Sequence, residues 1–286
     1  MDNQITGKLN WLSRLLPEGW VAPAHWLDAH GYSRSLLAQY KARRWLDSPA
    51  HGAYVRPGSK LKWQHVVVSI QCLEQLPMHV GGRTALVHRG LAHYLRLGRP
   101  EEIHLYGPAV GALPAWTRKL PIPEKLVTHT DAMFSSLPRV HRDETGRFVN
   151  DKDEKVAART LVESGLSEFT WGNWDWSLTY STTERAILEV LQDVPQRESV
   201  YEADALISGL ATLRPARLTH LLAHCGSVKV KRLFLALAAR HHHAWFAHLD
   251  LQKIDLGTGK RMLVRGGRLN PKYGITLPAD LDDHAR

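Results

Sequence analysis

The sequence predicts an α+β protein in which a small helical unit with a hairpin precedes a larger region of mixed helices and strands. Three observations indicate this. Three short helical patterns and a hairpin pattern follow one another within residues 6–56. Runs such as EEIHLYGP and EKLVTHTDAMF have the composition of strands, and the last third begins with two amphipathic helices. The 286 residues are 44% apolar, which is enough for a sizeable core.

Composition excludes several classes of protein. No run of about 18 apolar residues occurs, so no membrane span is expected. The N-terminal MDNQITGKLN lacks the apolar core of a secretory signal. Cys72 and Cys225 are the two cysteines and lie far apart in sequence, which excludes a disulfide framework. We therefore expect a cytoplasmic protein.

Charge is distributed unevenly along the chain, whose formal net charge is +9. Residues 1–100 carry a net charge of +8, residues 101–213 of −7 and residues 214–286 of +8. Two basic segments thus flank an acidic one. Basic segments are typical of proteins that bind a polyanion, most often nucleic acid, although many soluble proteins are basic without binding DNA.

Three short helices are predicted first. Residues 6–16 form the first helix, with Thr6 as its cap and leucines along one face. The second helix lies in PAHWLDAH, with Pro23 in its first turn. Gly31 supplies the turn to a third helix, for which Ser33 is the N-cap.

The third helix, in GYSRSLLAQYKARRWL, is amphipathic and basic. At 100° per residue, Leu36, Leu37 and Tyr40 cluster on the side that should face the core. Two alanines on the opposite side let the backbone approach a partner closely. That side suits a helix that enters the major groove of DNA. Arg34, Ser35 and Gln39 could reach base edges, and Lys41 and Arg43 could bind phosphates.

Two short strands are predicted next, Trp45–Asp47 and Ala53–Arg56, with residues 48–52 as the turn. Three helices followed by a hairpin is the order of a winged helix-turn-helix. The alternative is a small three-helix module that binds a protein. The predicted DNA-binding residues are Ser33, Arg34, Ser35, Gln39, Lys41, Arg43, His51, Arg56, Lys60 and Lys62.

The rest of the chain predicts mixed α/β structure. The run SEFTWGNWDWSLTYS is dense in aromatic residues, which could stack on bases, but packing in a core around a Gly172–Asn173 turn is favoured because the segment is locally acidic. Ser181 and Glu184 predict a capping box that opens a helix running to about Val194. Further on, two helices precede KIDLGTGKRMLV, which predicts a hairpin, and their basic residues form either a polyanion-binding surface or a solvated rim.

No catalytic or metal site is predicted. Consecutive histidines, such as those at 241–243, point in different directions on a helix and cannot share one ion. Cys225 follows His224, but no orienting group accompanies them, which favours a buried structural cysteine. A nuclease would need clustered carboxylates. The candidates for this alternative are Asp151, Asp153 and Glu154, and the pair Asp250 and Asp255.

Two long stretches resemble the AbiEi-type antitoxins of bacterial abortive-infection systems. The first is LPEGWVAPAHWLDAHGYSRSLLAQYKARRWLDSPAHGAYVRPG with HVGGRTALVHRGLAHYL, and the second runs from ERAILEVLQDVP through SGLATLRPARLTHLLAHCGSVKVKRLFLALAARH to NPKYGITLP. The resemblance implies a winged helix that represses its own operon at inverted repeats in promoter DNA. It also implies a C-terminal domain that neutralises a co-encoded nucleotidyltransferase toxin without a stable complex, which is the type IV mode.

Carried onto this chain, the resemblance implies a recognition helix at Ser33–Trp45 and a wing at Trp45–Arg56. It implies a DNA-binding domain at residues 1–98, an antitoxin domain at residues 99–286, no catalysis and no cofactor. The alternatives are a nucleic-acid enzyme of the nuclease type and an antitoxin that binds its toxin directly. A second basic surface in the C-terminal domain is drawn from Lys229, Lys231, Arg232, Lys260 and Arg261.

Overall fold

The structure is a computed structural model that describes residues 2–92, 101–108, 113–149, 154–171 and 176–281. Its first elements confirm three helices and a hairpin, but the first helix begins at Asp2, so that Thr6, the expected cap, lies within it. In chain order they are α1 (Asp2–Leu15), β1 (Ala22–Pro23), α2 (Ala24–Ala29), α3 (Arg34–Ala42), β2 (Asp47–Ala50) and β3 (Ala53–Val55). Pro23 was expected in the first turn of α2, but it is the N-cap residue and belongs to β1.

The short strands form an antiparallel sheet in the order β1-β3-β2. Strand β2 begins two residues later than predicted, because Trp45 and Leu46 pack inward at the end of α3 instead of pairing. The turn of the hairpin is consequently only His51 and Gly52. Gly52 has a φ of +74°, a left-handed conformation that favours glycine in such two-residue turns.

A five-stranded mixed sheet forms the middle of the molecule. Its strands are β4 (His79–Val80), β5 (Glu102–Gly107), β6 (Lys125–Thr130), β9 (Leu166–Thr170) and β10 (Ser177–Ser181). Two helices, α4 (Trp63–Cys72) and α5 (Gly82–His88), precede and follow β4 in the chain. The strand order is β6-β5-β4-β10-β9, with β5 parallel to β6 and β4 parallel to β10. All ten residues of α4 are buried. A small hairpin, β7 (His141–Arg142) and β8 (Phe148–Val149), and helix α6 (Glu154–Glu163) lie at one side.

The C-terminal part is mainly helical. Its elements are α7 (Thr183–Gln192), α8 (Val200–Ser208), α9 (Pro215–His224), α10 (Val228–Ala238), β11 (Arg261–Met262), β12 (Arg268–Asn270) and β13 (Ile275–Leu277). The hairpin predicted in KIDLGTGKRMLV is wrong, since β11 pairs in parallel with β13 and the segment before it contains a 3-10 helix, Leu251–Lys253. The capping box is wrong too. Thr182 is the N-cap residue, and the side chains of Ser181 and Glu184 bond to tertiary partners.

A buried network of charged groups joins the sheet to α7. The Glu189 carboxylate is fully buried and accepts hydrogen bonds from His79 Nε2, Arg185 Nε, the Ser181 hydroxyl and the Gly82 backbone N–H, at 2.7–2.8 Å. The predicted tight turn at Gly81–Gly82 therefore has a structural reason. A Cβ on Gly81 would lie 2.3 Å from the Glu189 Oε2 atom, and Gly82 has a φ of +51°.

Strand β4 lies at the centre of the five-stranded sheet, between β5 and β10. Residues 79–80 were expected to belong to a domain that ends at residue 98. In the structure they form one sheet with strands from residues 102 to 181. The predicted N-terminal domain thus supplies the central strand of a sheet whose other strands belong to the predicted C-terminal domain. The division at residue 98 remains a prediction.

Candidate nucleic-acid interface

Helix α3 has the two faces that its sequence predicts. Leu37 and Tyr40 are buried, and Leu36 is partly buried against the same core. The residues predicted to meet DNA are exposed along the other side: Arg34, Ser35, Gln39, Lys41 and Arg43, with Ala38 between them. The helix is shorter than the predicted Ser33–Trp45, because it ends at Ala42 with Arg43 as the C-cap. Its exposed face is therefore a row of polar and cationic side chains just over two turns long.

The N-terminus of α3 is fixed by Ser33. The Ser33 hydroxyl accepts the backbone N–H of Leu36 at 3.4 Å and lies 3.0 Å from the Ser35 hydroxyl. A cap of this kind orients the first turn and satisfies one of its free donors. Ser33 therefore positions Arg34 and Ser35, and its hydroxyl is already used by the helix itself.

The wing carries one predicted residue at its tip. His51 is exposed in the two-residue turn between β2 and β3. After β3, Arg56 is half-buried, while Lys60 and Lys62 are exposed. The Lys62 ammonium lies 4.7 Å from the centroid of the Trp171 ring, so this cation packs against the segment that follows β9. Arg43 makes a similar contact, with its guanidinium 5.0 Å from the centroid of the Trp45 ring.

A cleft of about 600 Å³ lies beside the exposed face of α3, and Arg34 and His51 both line it. Its opposite wall is the 3-10 helix that contains Trp116. The Trp116 Nε1–H donates to Glu74 Oε1 at 2.7 Å, and His25 Nε2 lies 3.2 Å from the second oxygen of the same carboxylate. These contacts tie α2 to the 3-10 helix Ala115–Lys119 through Glu74. The first residue of α3 and the tip of the wing line the same cleft.

The predicted second basic surface is wrong for three of its five residues. Lys231 and Arg232 are buried, and the Lys229 ammonium donates to the carbonyls of Gln192 and Val194. The Arg232 guanidinium donates to five backbone carbonyls at 2.6–3.2 Å, from Leu256, Gly257, Thr258, Gly259 and Gly274. Arg232 therefore holds the loop that precedes β11 and is not available to a partner. Lys260 and Arg261 are exposed, as predicted.

The residues considered for metal binding or catalysis make contacts within the fold where the structure describes them. His241 Nε2 bonds to Asp204, His243 Nε2 bonds to the Ile207 carbonyl, and burial raises the pKa of the Cys225 thiol. Asp250 pairs with Lys253 at 3.0 Å, and Asp255 accepts the Gly257 N–H. Asp151 and Asp153 lie outside the described residues, as does the side chain of Glu154. Within the described parts of the chain, no group of three or more His, Cys, Asp or Glu residues could hold a metal ion.

No described helix is both long enough and apolar enough to cross a membrane. The aromatic run of residues 169–180 packs as predicted where it is described, with Phe169 and Tyr180 in contact and Trp176 against the core. Residues 172–175, which include Trp174 and the predicted Gly172–Asn173 turn, lie outside the described residues. These aromatic rings therefore serve packing rather than an open stacking surface in the part of the run that is described.

Acid should destabilise the fold between pH 6.5 and 4. Burial and the neighbouring Lys62 lower the pKa of His65 to about 4, and burial with the neighbouring His129 lowers the pKa of His104 to about 4. Both histidines are therefore neutral in the folded state at pH 5 and protonated in the unfolded chain, whose histidine pKa is about 6.5. Their contribution to stability is present above pH 6.5 and is lost as the pH falls toward 4.

The measurement is the free energy of unfolding in urea at several pH values. We expect a slope at pH 5 that corresponds to uptake of at least two protons on unfolding, because burial also lowers the pKa of His79 and of His88. A stability that does not change between pH 6.5 and 4.5 would contradict this prediction. Replacing His248, an exposed histidine, with glutamine is the matched control and should leave the slope unchanged.

Comparison with known proteins agrees with the order of elements described above. A family model described as the N-terminal domain of the AbiEi antitoxin, a transcriptional regulator, matches residues 6–97. A second model, described as a transcriptional regulator, AbiEi antitoxin, of a type IV toxin–antitoxin system, matches residues 100–278. A search among curated proteins gave no significant match.

Among solved structures, the crystal structure of the RV2827C protein from Mycobacterium tuberculosis is similar, with a TM-score of 0.53 and 15% sequence identity. The alignment covers 98% of this chain and 92% of that chain, and at this identity the likeness concerns the fold alone. The two family models together span nearly all of the chain. The protein therefore belongs to the AbiEi family of transcriptional-regulator antitoxins of type IV toxin–antitoxin systems.

Proposed function

We propose that the protein represses its own operon by binding inverted repeats in promoter DNA through α3. The observation that carries this proposal is the exposed polar and cationic face of α3, opposite the buried Leu37 and Tyr40. A helix held by its apolar side and free on its basic side is what insertion into a major groove requires. Membership in a transcriptional-regulator family supports the same function.

In this proposal the exposed residues have separate roles. Arg34, Ser35 and Gln39 reach base edges, for which an arginine can bond guanine and a glutamine can bond adenine in bidentate geometry. Lys41 and Arg43 bind phosphates at the other end of the helix, where their contacts carry no sequence information. His51, Arg56, Lys60 and Lys62 would add contacts from the wing and the segment after it.

The two roles predict different behaviour of two variants. Arg34→Ala should reduce the preference for operator DNA over a scrambled duplex by about 1–3 kcal/mol, because it removes a base contact. Lys41→Ala should weaken binding to both duplexes equally. Fluorescence anisotropy with the promoter fragment, at several salt concentrations, measures both. Wild-type affinity in a variant with alanine at Arg34, Gln39, Lys41 and Arg43 would refute α3 as the recognition helix.

A second surface for phosphates is proposed at the C-terminal sheet, in place of α10. Lys260 and Arg261 are exposed there, and three more exposed cations belong to the same small sheet and its loops: Arg265, Arg268 and Lys272. Within the described residues none of the five forms an ion pair with a carboxylate. Each phosphate contact would increase the salt dependence of binding to promoter DNA.

We further propose that the protein neutralises a co-encoded nucleotidyltransferase toxin in the bacterial cytoplasm, without catalysis of its own. Residues 1–98 would serve DNA binding and residues 99–286 antitoxicity. The type IV classification of the family supports neutralisation without a stable complex. Co-expression with the toxin tests neutralisation through restored growth. Co-purification of the two proteins would instead favour direct binding, and cleavage of DNA or RNA by the purified protein with Mg²⁺ or Mn²⁺ would contradict the non-enzymatic role.

A further inference from the structure

Arg44 occupies an unexpected place at the end of α3. If the helix continued to Trp45, the angle of Arg44 would put its side chain on the buried side. Instead the helix ends at Ala42, and Arg44 has a φ of +56°. Its side chain is exposed. The left-handed backbone thus turns this cation out to solvent at the end of the helix that we propose to read DNA.

The backbone around Arg44 forms the hydrogen bonds of a Schellman motif. The Arg44 N–H donates to the Lys41 carbonyl at 3.0 Å, and the Trp45 N–H donates to the Tyr40 carbonyl at 2.8 Å. Glycine is the usual residue at the left-handed position of this motif. A residue with a side chain adopts this left-handed conformation about 5- to 30-fold less readily than glycine does. Arginine is therefore an unfavourable residue for the backbone at this position.

The backbone turn is stabilised by the contact of the Tyr40 and Trp45 rings, whose centroids lie 5.6 Å apart. No described contact of the Arg44 side chain itself contributes to the fold. Arg43, its neighbour, has its guanidinium 5.0 Å from the centroid of the Trp45 ring. Within the described residues, Arg44 has no ion pair, no side-chain hydrogen bond and no such ring contact. The next acidic residue along the chain is Asp47, whose carboxylate accepts the Gly58 N–H at 3.3 Å. The C-terminus of a helix attracts any cation weakly, and this attraction does not require the left-handed position.

We propose that Arg44 is a phosphate contact at the edge of the recognition helix, which rests on the proposed function of α3. Because the chain reverses at this residue, its side chain leaves the helix face that carries Arg34 and Gln39. It therefore adds to the cationic end formed by Lys41 and Arg43 and meets the DNA backbone rather than a base edge. Since no described contact of this side chain serves the fold, its charge is available to a DNA phosphate.

The test is Arg44→Gly, which separates stability from binding. The variant should unfold at the same temperature as the wild type or about 1–3 °C higher, because glycine fits the left-handed position. It should bind both the promoter duplex and a scrambled duplex about 3- to 10-fold more weakly at low salt. The slope of the logarithm of affinity against the logarithm of salt concentration should fall by about 0.9, the value for one lost phosphate contact.

Two variants serve as controls. His242 is exposed and has a φ of +51° in the C-terminal region, so His242→Gly makes the same backbone change at a site not proposed to bind DNA and should leave binding unchanged. Arg44→Lys keeps the charge and should keep the salt slope. If Arg44→Gly lowers the unfolding temperature, Arg44→Asn, which also tolerates this conformation, takes its place in the binding assay.

The outcomes distinguish this inference from the function on which it rests. Wild-type affinity and an unchanged salt slope in Arg44→Gly would overturn the role of Arg44 while leaving α3 as the recognition helix. A wild-type protein that shows no salt-dependent binding to the promoter duplex would instead refute the proposed function. Loss of preference for the promoter duplex in Arg44→Gly would contradict a phosphate contact and indicate a base contact.

Discussion

Replacing Glu189 with alanine is expected to lower the free energy of unfolding by about 3–5 kcal/mol. Burial alone raises the pKa of this carboxyl, but His79 and Arg185 outweigh it and lower the pKa to about 2. The group is therefore ionised in the fold. Its removal would leave the buried Arg185 guanidinium without its closest counter-charge, and the Gly82 N–H and Ser181 hydroxyl without their acceptor. Urea unfolding followed by fluorescence measures the loss.

The chain contains a matched control for this prediction. Arg159 and Glu163 form an ion pair with the same spacing and nearly the same geometry, 2.7 Å between Arg Nε and Glu Oε1 against 2.8 Å in the buried pair. The Arg159 side chain is 82% exposed, so the pair is solvated. Glu163→Ala should therefore cost no more than about 0.5 kcal/mol. Equal losses in the two variants would mean that burial does not determine the strength of these pairs.

The second large effect is expected at Arg232. Arg232→Met keeps the apolar stem of the side chain but removes the donors to five backbone carbonyls, four of them in residues 256–259. We expect a loss of about 3–5 kcal/mol in the free energy of unfolding, because five backbone carbonyls lose hydrogen bonds from a charged donor. The same loop precedes Lys260 and Arg261. The variant should therefore be cleaved faster by trypsin at these two residues.

Lys231→Met is the control for this second prediction. Lys231 neighbours Arg232 on α10 and is also buried, but within the described residues its ammonium donates no hydrogen bond to a carbonyl. Its replacement should change stability by less than about 1 kcal/mol and leave the tryptic cleavage rate unchanged. A similar loss of stability in both variants would show that removal of either charge destabilises α10, and that the carbonyl contacts of Arg232 do not account for the effect.

The sequence predicts the elements well where local chemistry determines them. The N-cap at Ser33, the buried side of α3 and the helix–turn–helix of residues 215–238 depend on capping and apolar periodicity, which neighbouring residues decide. The capping box at Ser181 and Glu184 is wrong because tertiary partners compete for both side chains. Ser181 bonds to Glu189, and Glu184 accepts the Arg214 N–H.

The misplaced basic surface has a different cause. Lys231 and Arg232 lie in a helix whose following residues, LFLALA, are apolar on all sides, and such a helix is typically buried all around. That signal could have predicted that the two cations lie inside. The partners of Arg232 could not be predicted, because its five carbonyls come from segments 24 to 42 residues away. The outward position of Arg44 was equally hidden, since it depends on where α3 ends.

The central place of β4 limits how this protein can be divided or recombined. The strand belongs to the segment matched by the N-terminal family model, yet its neighbours β5 and β10 belong to the segment matched by the other model. A gene cut between the two matches would leave each product with an unsatisfied row of backbone donors and acceptors. We therefore expect that a hybrid of two relatives joined between the matched segments would need compatible β4, β5 and β10 strands in order to fold. Under the proposed role of α3, substitutions on its exposed face would change operator specificity without disturbing this sheet.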